Sequence, residues 1–330
     1  AVPPSAPAAD GTGRPRRRVA RWLVVALVAW LVFLVVVPVW AWTRISKVEA
    51  FPAGQRPPEQ PGTTYLIVGS DSRAGLSRAE RRDLGTGSVS GQRTDTIMLL
   101  HVGSGPNLLM SIPRDSQVEV PGHGVTKINA AFAYGGPKLL VRTIEQDTGI
   151  RVDHYVEIGF GGFVGVVDAL GGIEICPTQD MKDPLANLDI SKGCQQADGA
   201  TALGYARSRH TDPQYGDITR AEHQREVVSA VGQKALSPWT FLNPVRYVRL
   251  NKAAAESLRI SEGTGPFAMM RFAWAMTRVS GDSGLTCTVP IVNLSVEWDP
   301  ERSKAMFQHI IDDDTEGIGR DLCTPKGLPR

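Results

Sequence analysis

HYVEIGFGGFVGVVDALGGIEIC, residues 154–176, changes its pattern twice. His154 to Ile158 alternates in the manner of a strand. Phe160 to Leu170 is apolar and reads as a helix, with Gly171 and Gly172 as its stop. Ile173 to Cys176 is a second short strand. Strand, helix and strand in one short stretch point to an α/β fold, in which helices cover a sheet.

The flanks extend this reading. Upstream, Tyr65 to Val68 is a short apolar run closed by Gly69-Ser70-Asp71, the pattern of a buried strand. Asp95 to Val102 and Asn107 to Ile112 read as strands joined by a GSGP turn. Pro137 to Thr148 is amphipathic and stops before Gly149. Between these elements, residues 74–94 are polar and rich in Gly, Ser and Arg, a loop composition. Downstream, Asp180 to Asp198 reads as a polar loop. Helical patterns cover Gly199–Tyr205, Thr219–Ala235, Pro244–Ser257, Pro266–Val279 and Pro300–Ile311, with a strand at Leu285–Ile291. The expectation is a mixed central β-sheet flanked by helices, forming one domain over 63–315 with a C-terminal tail at 316–330.

The N-terminus is of another kind. Residues 1–21 are rich in Pro, Ala, Gly and Arg and cannot bury a core, so a disordered tail is expected. Trp22 to Trp42 then runs without a charge, long enough for a transmembrane helix across a hydrocarbon core of about 30 Å. Tryptophans near both ends suit the two interfaces. Arg14, Arg16, Arg17, Arg18 and Arg21 precede the run, whereas only Arg44 and Lys47 follow closely. The positive-inside rule puts the tail in the cytoplasm and the rest outside a cell membrane. A cleaved signal peptide is the alternative, and its apolar stretch would be shorter. Residues 43–62 read as a Pro-rich extracytoplasmic spacer.

Composition narrows the partners. The formal net charge is +2 over 330 residues, and no nucleic-acid motif is present, so DNA or RNA binding is not expected. Four cysteines without a C-x-x-C pair suit an exported, disulfide-bonded domain better than zinc. Of the three pairings, the sequence-near one is expected, Cys176–Cys194 and Cys287–Cys323, each closing a moderate loop. Buried unpaired thiols are the alternative.

The chemistry concentrates in GYARSRHTDPQYGDITRAEHQRE, residues 204–226. If a helix starts at Thr219, with Thr219 and Glu222 as a capping box or Asp217 as the cap instead, Arg220 and Gln224 share its N-terminal face. Donors there suit an anion. Arg207 and Arg209 point the same way only in extended backbone. Several guanidiniums at one place repel unless an anion lies between them, and their forks match phosphate oxygens. Arg114 and Lys127 lie at strand ends, as do Asp71 and Asp95. Two such carboxylates with substrate phosphates are a usual magnesium arrangement. Solvated charges, turn chemistry and helix capping are the bland alternatives for each residue.

GSDSR (69–73), RTDTIMLLHV (93–102), SIPRDS (111–116), KINAAFAYGGP (127–137), the 154–175 stretch and the 204–226 stretch occur in that order. Together they resemble the LytR-CpsA-Psr family of membrane-anchored cell-wall proteins, strongly over residues 63–240 and more weakly to about 315. The resemblance implies an enzyme, a phosphotransferase that moves a glycopolymer from a polyprenyl-pyrophosphate carrier to peptidoglycan. It implies Mg²⁺, with Mn²⁺ as a substitute, on Asp71 and Asp95. It implies pyrophosphate contacts from Arg73, Arg114, Lys127, Arg207, Arg209, Arg220 and Gln224, with Asp217 positioning the Arg220 region. Asp95, Arg114, Arg207 and Arg209 are the catalytic candidates. The family's fold is a central sheet flanked by helices with a greasy channel for the lipid tail. Phe160–Leu170 and Pro137–Thr148 are candidate walls of that channel, or ordinary core. Hydrolysis by water at the same site, or non-enzymatic binding of isoprenoid phosphates, are the competing activities.

Overall fold

The computed structural model describes residues 14–71, 94–209, 216–279 and 284–329. The tail ahead of residue 14, and the loop expected at 74–94 as far as residue 93, lie outside the described residues.

One seven-stranded mixed sheet organises the domain. Its strands are β1 (Ser46–Val48), β2 (Thr63–Ser70), β3 (Thr94–Val102), β4 (Asn107–Ser111), β7 (His154–Gly159), β12 (Leu258–Ser261) and β13 (Gly284–Thr288). Their order is β1-β12-β7-β2-β3-β4-β13. A short hairpin, β5 (Gln117–Val120) with β6 (Gly124–Lys127), hangs off β4. The central strands are apolar on both faces because both are covered. Leu66, Val68, Ile97, Leu99, Leu108 and Met110 share a core with α2 (Ile128–Thr148) and α9 (Pro300–Ile311). Tyr65, Ile67, Met98, Leu100 and Leu109 face Ala275 and Met276 of α8 (Pro266–Met276).

Smaller elements pack at one end of this sheet. They are α3 (Phe160–Ala169), β8 (Ile173–Ile175), β9 (Met181–Asp183), β10 (Leu188–Ile190), β11 (Gln195–Ala197), α4 (Gly199–Arg207) and α5 (Gly216–Ala235). Val167, Ile173, Ile175, Tyr205 and Val227 form their common core. α6 (Pro238–Leu242) and α7 (Pro244–Ser257) complete the layer, and α1 (Arg14–Trp42) precedes β1. Within α1, Val19–Trp42 is long and apolar enough to cross a membrane.

Several expectations need correcting. The helix expected from Pro137 is present, and a further helical stretch from Ile128 precedes it across a break at Gly135 and Gly136. Gly136, at φ +62, supplies the left-handed turn that lets the chain restart at Pro137. The polar loop at 180–198 contains three short strands. β11 pairs with β8, and Cys176–Cys194 closes that ladder. The spacer contributes β1, which pairs parallel with β12, a strand too short and mixed to be read from sequence. The tail is drawn in as well: Cys323 bonds Cys287, Thr324 bridges Thr288, and buried Arg225 donates to the Pro325 carbonyl. Both expected cysteine pairs are present. The apolar walls proposed for a channel turn out to be core on at least one face: Leu140, Val141 and Ile144 are fully buried against the sheet.

Candidate functional site: a charged rim at one end of the sheet

Strand direction gathers the candidates. Ser70, the last residue of β2, pairs with Thr94, the first of β3, across a bulge. Asp71 and Asp95 therefore lie on neighbouring strand ends, at one rim. β4 runs antiparallel to β3, so its exit through Pro113 to Arg114 reaches the same rim. Arg114 Nη1 donates to Asp95 Oδ1 at 2.6 Å, and its Nε to Asp115 Oδ2 at 3.3 Å. The β5–β6 hairpin then brings the chain back, because Gln117 pairs with Lys127. Lys127 Nζ meets Asp115 Oδ1 at 2.7 Å. The result is an alternating row: Asp95, Arg114, Asp115, Lys127. Lys127 is its exposed end, at 56%.

The second half comes from α4 and α5. Arg207 is the last residue of α4, not part of an extended pair as expected, and Ser208 leaves the helix at φ −60, ψ 135. Ser208 is buried and its hydroxyl donates to Asp183 Oδ2 at 3.2 Å, while the Arg209 amide donates to the same oxygen at 3.0 Å. Asp183 Oδ1 accepts from the amides of Leu185 and Ala186. Asp183 thus clamps the exit of α4, with Ser208 turned inward and an arginine on either side. Arg207 lies over the Phe160 ring, 5.0 Å from its centroid. Arg209 Nη2 is 3.8 Å from Asp95 Oδ1. α5 starts at Gly216, so Thr219 lies inside the helix rather than at the expected helix start. Arg220 and Gln224 do share a face: both are buried, and Gln224 Nε2 donates to the Asp95 carbonyl at 3.3 Å.

A cavity of about 200 Å³ lies among these groups, lined by Asp95, Asp183, Leu185, Ala186, Arg207, Arg209, Arg220 and Gln224. Three arginines against two aspartates leave the lining positive, and Arg114 beside Asp95 adds to it. Burial alone would push the Asp95 carboxyl up. Arg220, Arg114 and Arg209 outweigh that and hold it below the usual carboxylate range. Asp95 is therefore ionised, and among the described residues both of its ion pairs fall on Oδ1.

Of the residues expected from the sequence, the structure brings Asp95, Arg114, Arg207, Arg209, Arg220 and Gln224 together. It brings Asp71 to the same rim and leaves Lys127 beyond Arg114, outside the cavity lining. Arg73 and the Asp217 side chain lie outside the described residues. Sequence reasoning missed three carboxylates. Asp115 was visible in SIPRDS as the partner next to Arg114. Asp183 gave no signal, since its partners are mostly backbone amides. Glu157, one residue in a strand pattern, is buried beneath the rim and accepts from Ser70 at 2.9 Å and Tyr155 at 2.9 Å, with Arg259 at 3.3 Å.

The LytR_cpsA_psr family matches residues 44–262. The chain is 44% identical over 323 residues to the probable cell wall biosynthesis protein LcpB of Corynebacterium glutamicum, covering 93% of this chain and 76% of that protein. It is 32% identical to LcpA, the cell wall biosynthesis protein of the same organism, over 70% of this chain and 50% of that one. Against the polyisoprenyl-teichoic acid–peptidoglycan teichoic acid transferase TagT of Bacillus subtilis it is 39% identical, over 39% of this chain and 41% of TagT. The chain thus spans half or less of the length of those last two relatives. Among solved structures, the LytR-Csp2A-Psr enzyme from Actinomyces oris superposes with a TM-score of 0.65 at 22% identity, over 81% of this chain and 96% of that one. B. subtilis TagT superposes at 0.57 and 24% identity, over 82% and 99%. At these identities the likeness is one of fold. Motif order, family match and LcpB similarity over almost the whole length agree: the chain belongs to the LytR-CpsA-Psr family.

Proposed function

We propose that this protein is a membrane-anchored phosphotransferase that moves a glycopolymer from a polyprenyl-diphosphate carrier to peptidoglycan. The observation that carries the proposal is the convergence of Arg114, Arg209 and Arg220 on Asp95, with Arg207 lining the same small positive cavity. The names of LcpB, as a probable cell wall biosynthesis protein, and of TagT, as a teichoic acid transferase, support the choice of substrates.

The reaction suits the site. A hydroxyl of a peptidoglycan sugar attacks the phosphorus next to the glycan. The bond from that phosphorus to the bridging oxygen breaks, polyprenyl monophosphate leaves, and the hydroxyl proton passes to a base. Such a transfer asks mainly for positioning and for neutralisation of charge on the equatorial and leaving oxygens. Arg207 and Arg209, spaced by the clamped Ser208, and Arg220, buried on α5, supply rigid donors for those oxygens. Arg114 is held between Asp95 and Asp115, so its fork is oriented before substrate arrives. Gln224 supplies a neutral donor beside Asp95.

The donor set also fits a divalent cation. Asp95 is ionised, Asp71 lies on the adjoining strand end, and hard carboxylate oxygens with substrate phosphates are what Mg²⁺ takes. Asp71 and Asp95 would hold Mg²⁺, or Mn²⁺ in its place. When bound, the ion would neutralise charge on the diphosphate. The depressed Asp95 carboxyl is a poor proton acceptor, which suits it to this role better than to that of general base.

The test is a transfer assay with the full chain, a radiolabelled polyprenyl-diphosphate glycan and peptidoglycan. Label should enter peptidoglycan with one polyprenyl monophosphate released per transfer, and the divalent ion should be required. Equal release without peptidoglycan would identify a hydrolase. Binding of the carrier without turnover would identify the non-enzymatic alternative.

A further inference from the structure

Two neighbouring strands fix where α1 leaves the domain. β1 starts four residues after α1 ends at Trp42, and β12 starts directly after α7 ends at Ser257. The two strands are parallel, with Ser46 opposite Arg259. Their entry points therefore lie side by side. Traced backwards from there, α1 and α7 run away from the sheet together. Tyr247 of α7 donates to the Leu34 carbonyl of α1 at 2.7 Å, and its ring lies 5.8 Å from that of Phe33.

That contact is deep. Leu34 is eight residues inside the apolar run that ends at Trp42, about 12 Å along a helix. If α1 crosses a hydrocarbon core about 30 Å thick, Tyr247 sits well within it. The chain around Tyr247 suits that depth. Trp239 is 60% exposed, Leu242 64%, Val245 57% and Val248 36%. Further up the same helix the exposed positions become charged: Arg249, Lys252 and Glu256. An outward face that is apolar at the far end and charged near the domain is the gradient of a helix entering an interface.

We propose that α6 and the start of α7, through Val248, lie in the bilayer leaflet nearest the domain, beside α1, with phospholipid acyl chains covering Trp239, Leu242, Val245 and Val248. The proposal rests on the reading of α1 as a membrane-spanning helix. The domain is then held at two elements and cannot swing freely on a single tether. The consequence reaches the site. α7 packs on α3, where Ser257 meets Gly162 so closely that a Cβ on Gly162 would lie 2.5 Å from it. α3 begins with Phe160, the ring under Arg207. β12 pairs with β7, Leu258 opposite Ile158, and β7 with β2, Gly159 opposite Ser70. Immersion of α6 and α7 thereby sets the charged rim at the level of the lipid headgroups, where the diphosphate of a membrane-borne carrier lies.

The test is photocrosslinking of the full chain in nanodiscs of phosphatidylcholine and phosphatidylglycerol. A benzophenone amino acid replaces Val35 on α1, Val245 on α7 or Lys304 on α9, one at a time, with Leu242 as a second position should the Val245 variant not fold. Peptide mass spectrometry reads the phospholipid adduct. The expected yield at Val245 is within about threefold of that at Val35 and at least about tenfold above that at Lys304. An adduct at Val35 with none at Val245 or Leu242 overturns the proposal, as does crosslinking of Val245 to a second copy of the chain. Equal yields at Val245 and Lys304 overturn it too. No adduct at Val35 would instead overturn the spanning of α1 itself.

Discussion

Arg114 separates fork geometry from charge. Its Nη1 meets Asp95 at 2.6 Å and its Nε meets Asp115 at 3.3 Å, so two nitrogens of one plane serve two carboxylates. Arg114→Lys keeps the charge but offers a single ammonium, which can keep one partner and loses the fork. Stability should change little. Arg114 and Asp95 are 19% and 22% exposed, water screens the pair, and the loss should be about 1 kcal/mol. In a domain of this size that lowers Tm by about 2–4 °C. The rate should suffer far more. Removing one preorganised donor from a developing oxyanion costs about 3–4 kcal/mol, or about 10²–10³ in kcat. The assay is transfer of labelled glycan from polyprenyl diphosphate to peptidoglycan, with thermal unfolding measured on the same preparation. A folded Arg114→Lys protein that works within about threefold of the parent would refute the argument, since a point charge would then suffice.

Three further outcomes are expected. Burial, and then Glu119, push the Asp147 carboxyl up from 3.8 to about 6; the stability tied to its protonated form is complete below pH 3.8 and is lost as pH rises through about 6. Asp147→Asn should remove that dependence and raise stability at pH 7 by about 1–2 kcal/mol after allowance for partial exposure, read as a flatter plot of Tm against pH. Cys287→Ala with Cys323→Ala opens a bridge across 36 positions and should cost about 4 kcal/mol, checked by chemical unfolding; an unchanged midpoint would mean that hydrogen bonds such as those from Arg225, Thr288 and Arg302 suffice to hold the C-terminal segment. Glu157→Ala strips the Ser70 and Tyr155 hydroxyls of their buried acceptor and should cost about 1–3 kcal/mol for each. Because Ser70 adjoins Asp71, the metal concentration needed for half-maximal activity should also rise, which simple loss of stability would not produce.

Much of the layout could be read because local pattern and tertiary role coincide. The β7–α3–β8 stretch shows its periods openly, and the central strands are apolar on both faces. Helix geometry also carried the α5 reading. Residues four apart differ by about 40° around the axis, so Arg220 and Gln224 face the cavity together. Arg225, about 140° from Arg220, faces the opposite way, is buried, and holds Thr288 and the Pro325 carbonyl. What stayed hidden depends on distant partners. β1 and β12 are strands only because each pairs with a neighbour far along the chain. Asp183 looks like any loop aspartate until the amides of Leu185, Ala186 and Arg209 close around it. Residues 316–329 are polar enough to read as a tail, and a disulfide with hydrogen bonds to the Pro325 and Gly327 carbonyls fastens them.

If the protein works as proposed, its scattered cationic side chains converge on one diphosphate. A crystal structure of the full chain with a polyprenyl diphosphonate, the unreactive form of the carrier headgroup, and Mg²⁺ tests it most directly. Both phosphorus groups are expected in the cavity, within hydrogen-bonding distance of Arg114, Arg207, Arg209 and Arg220, with the ion on Asp71 and Asp95. A headgroup bound elsewhere, or these arginines paired only with protein carboxylates while the ligand is present, would contradict it.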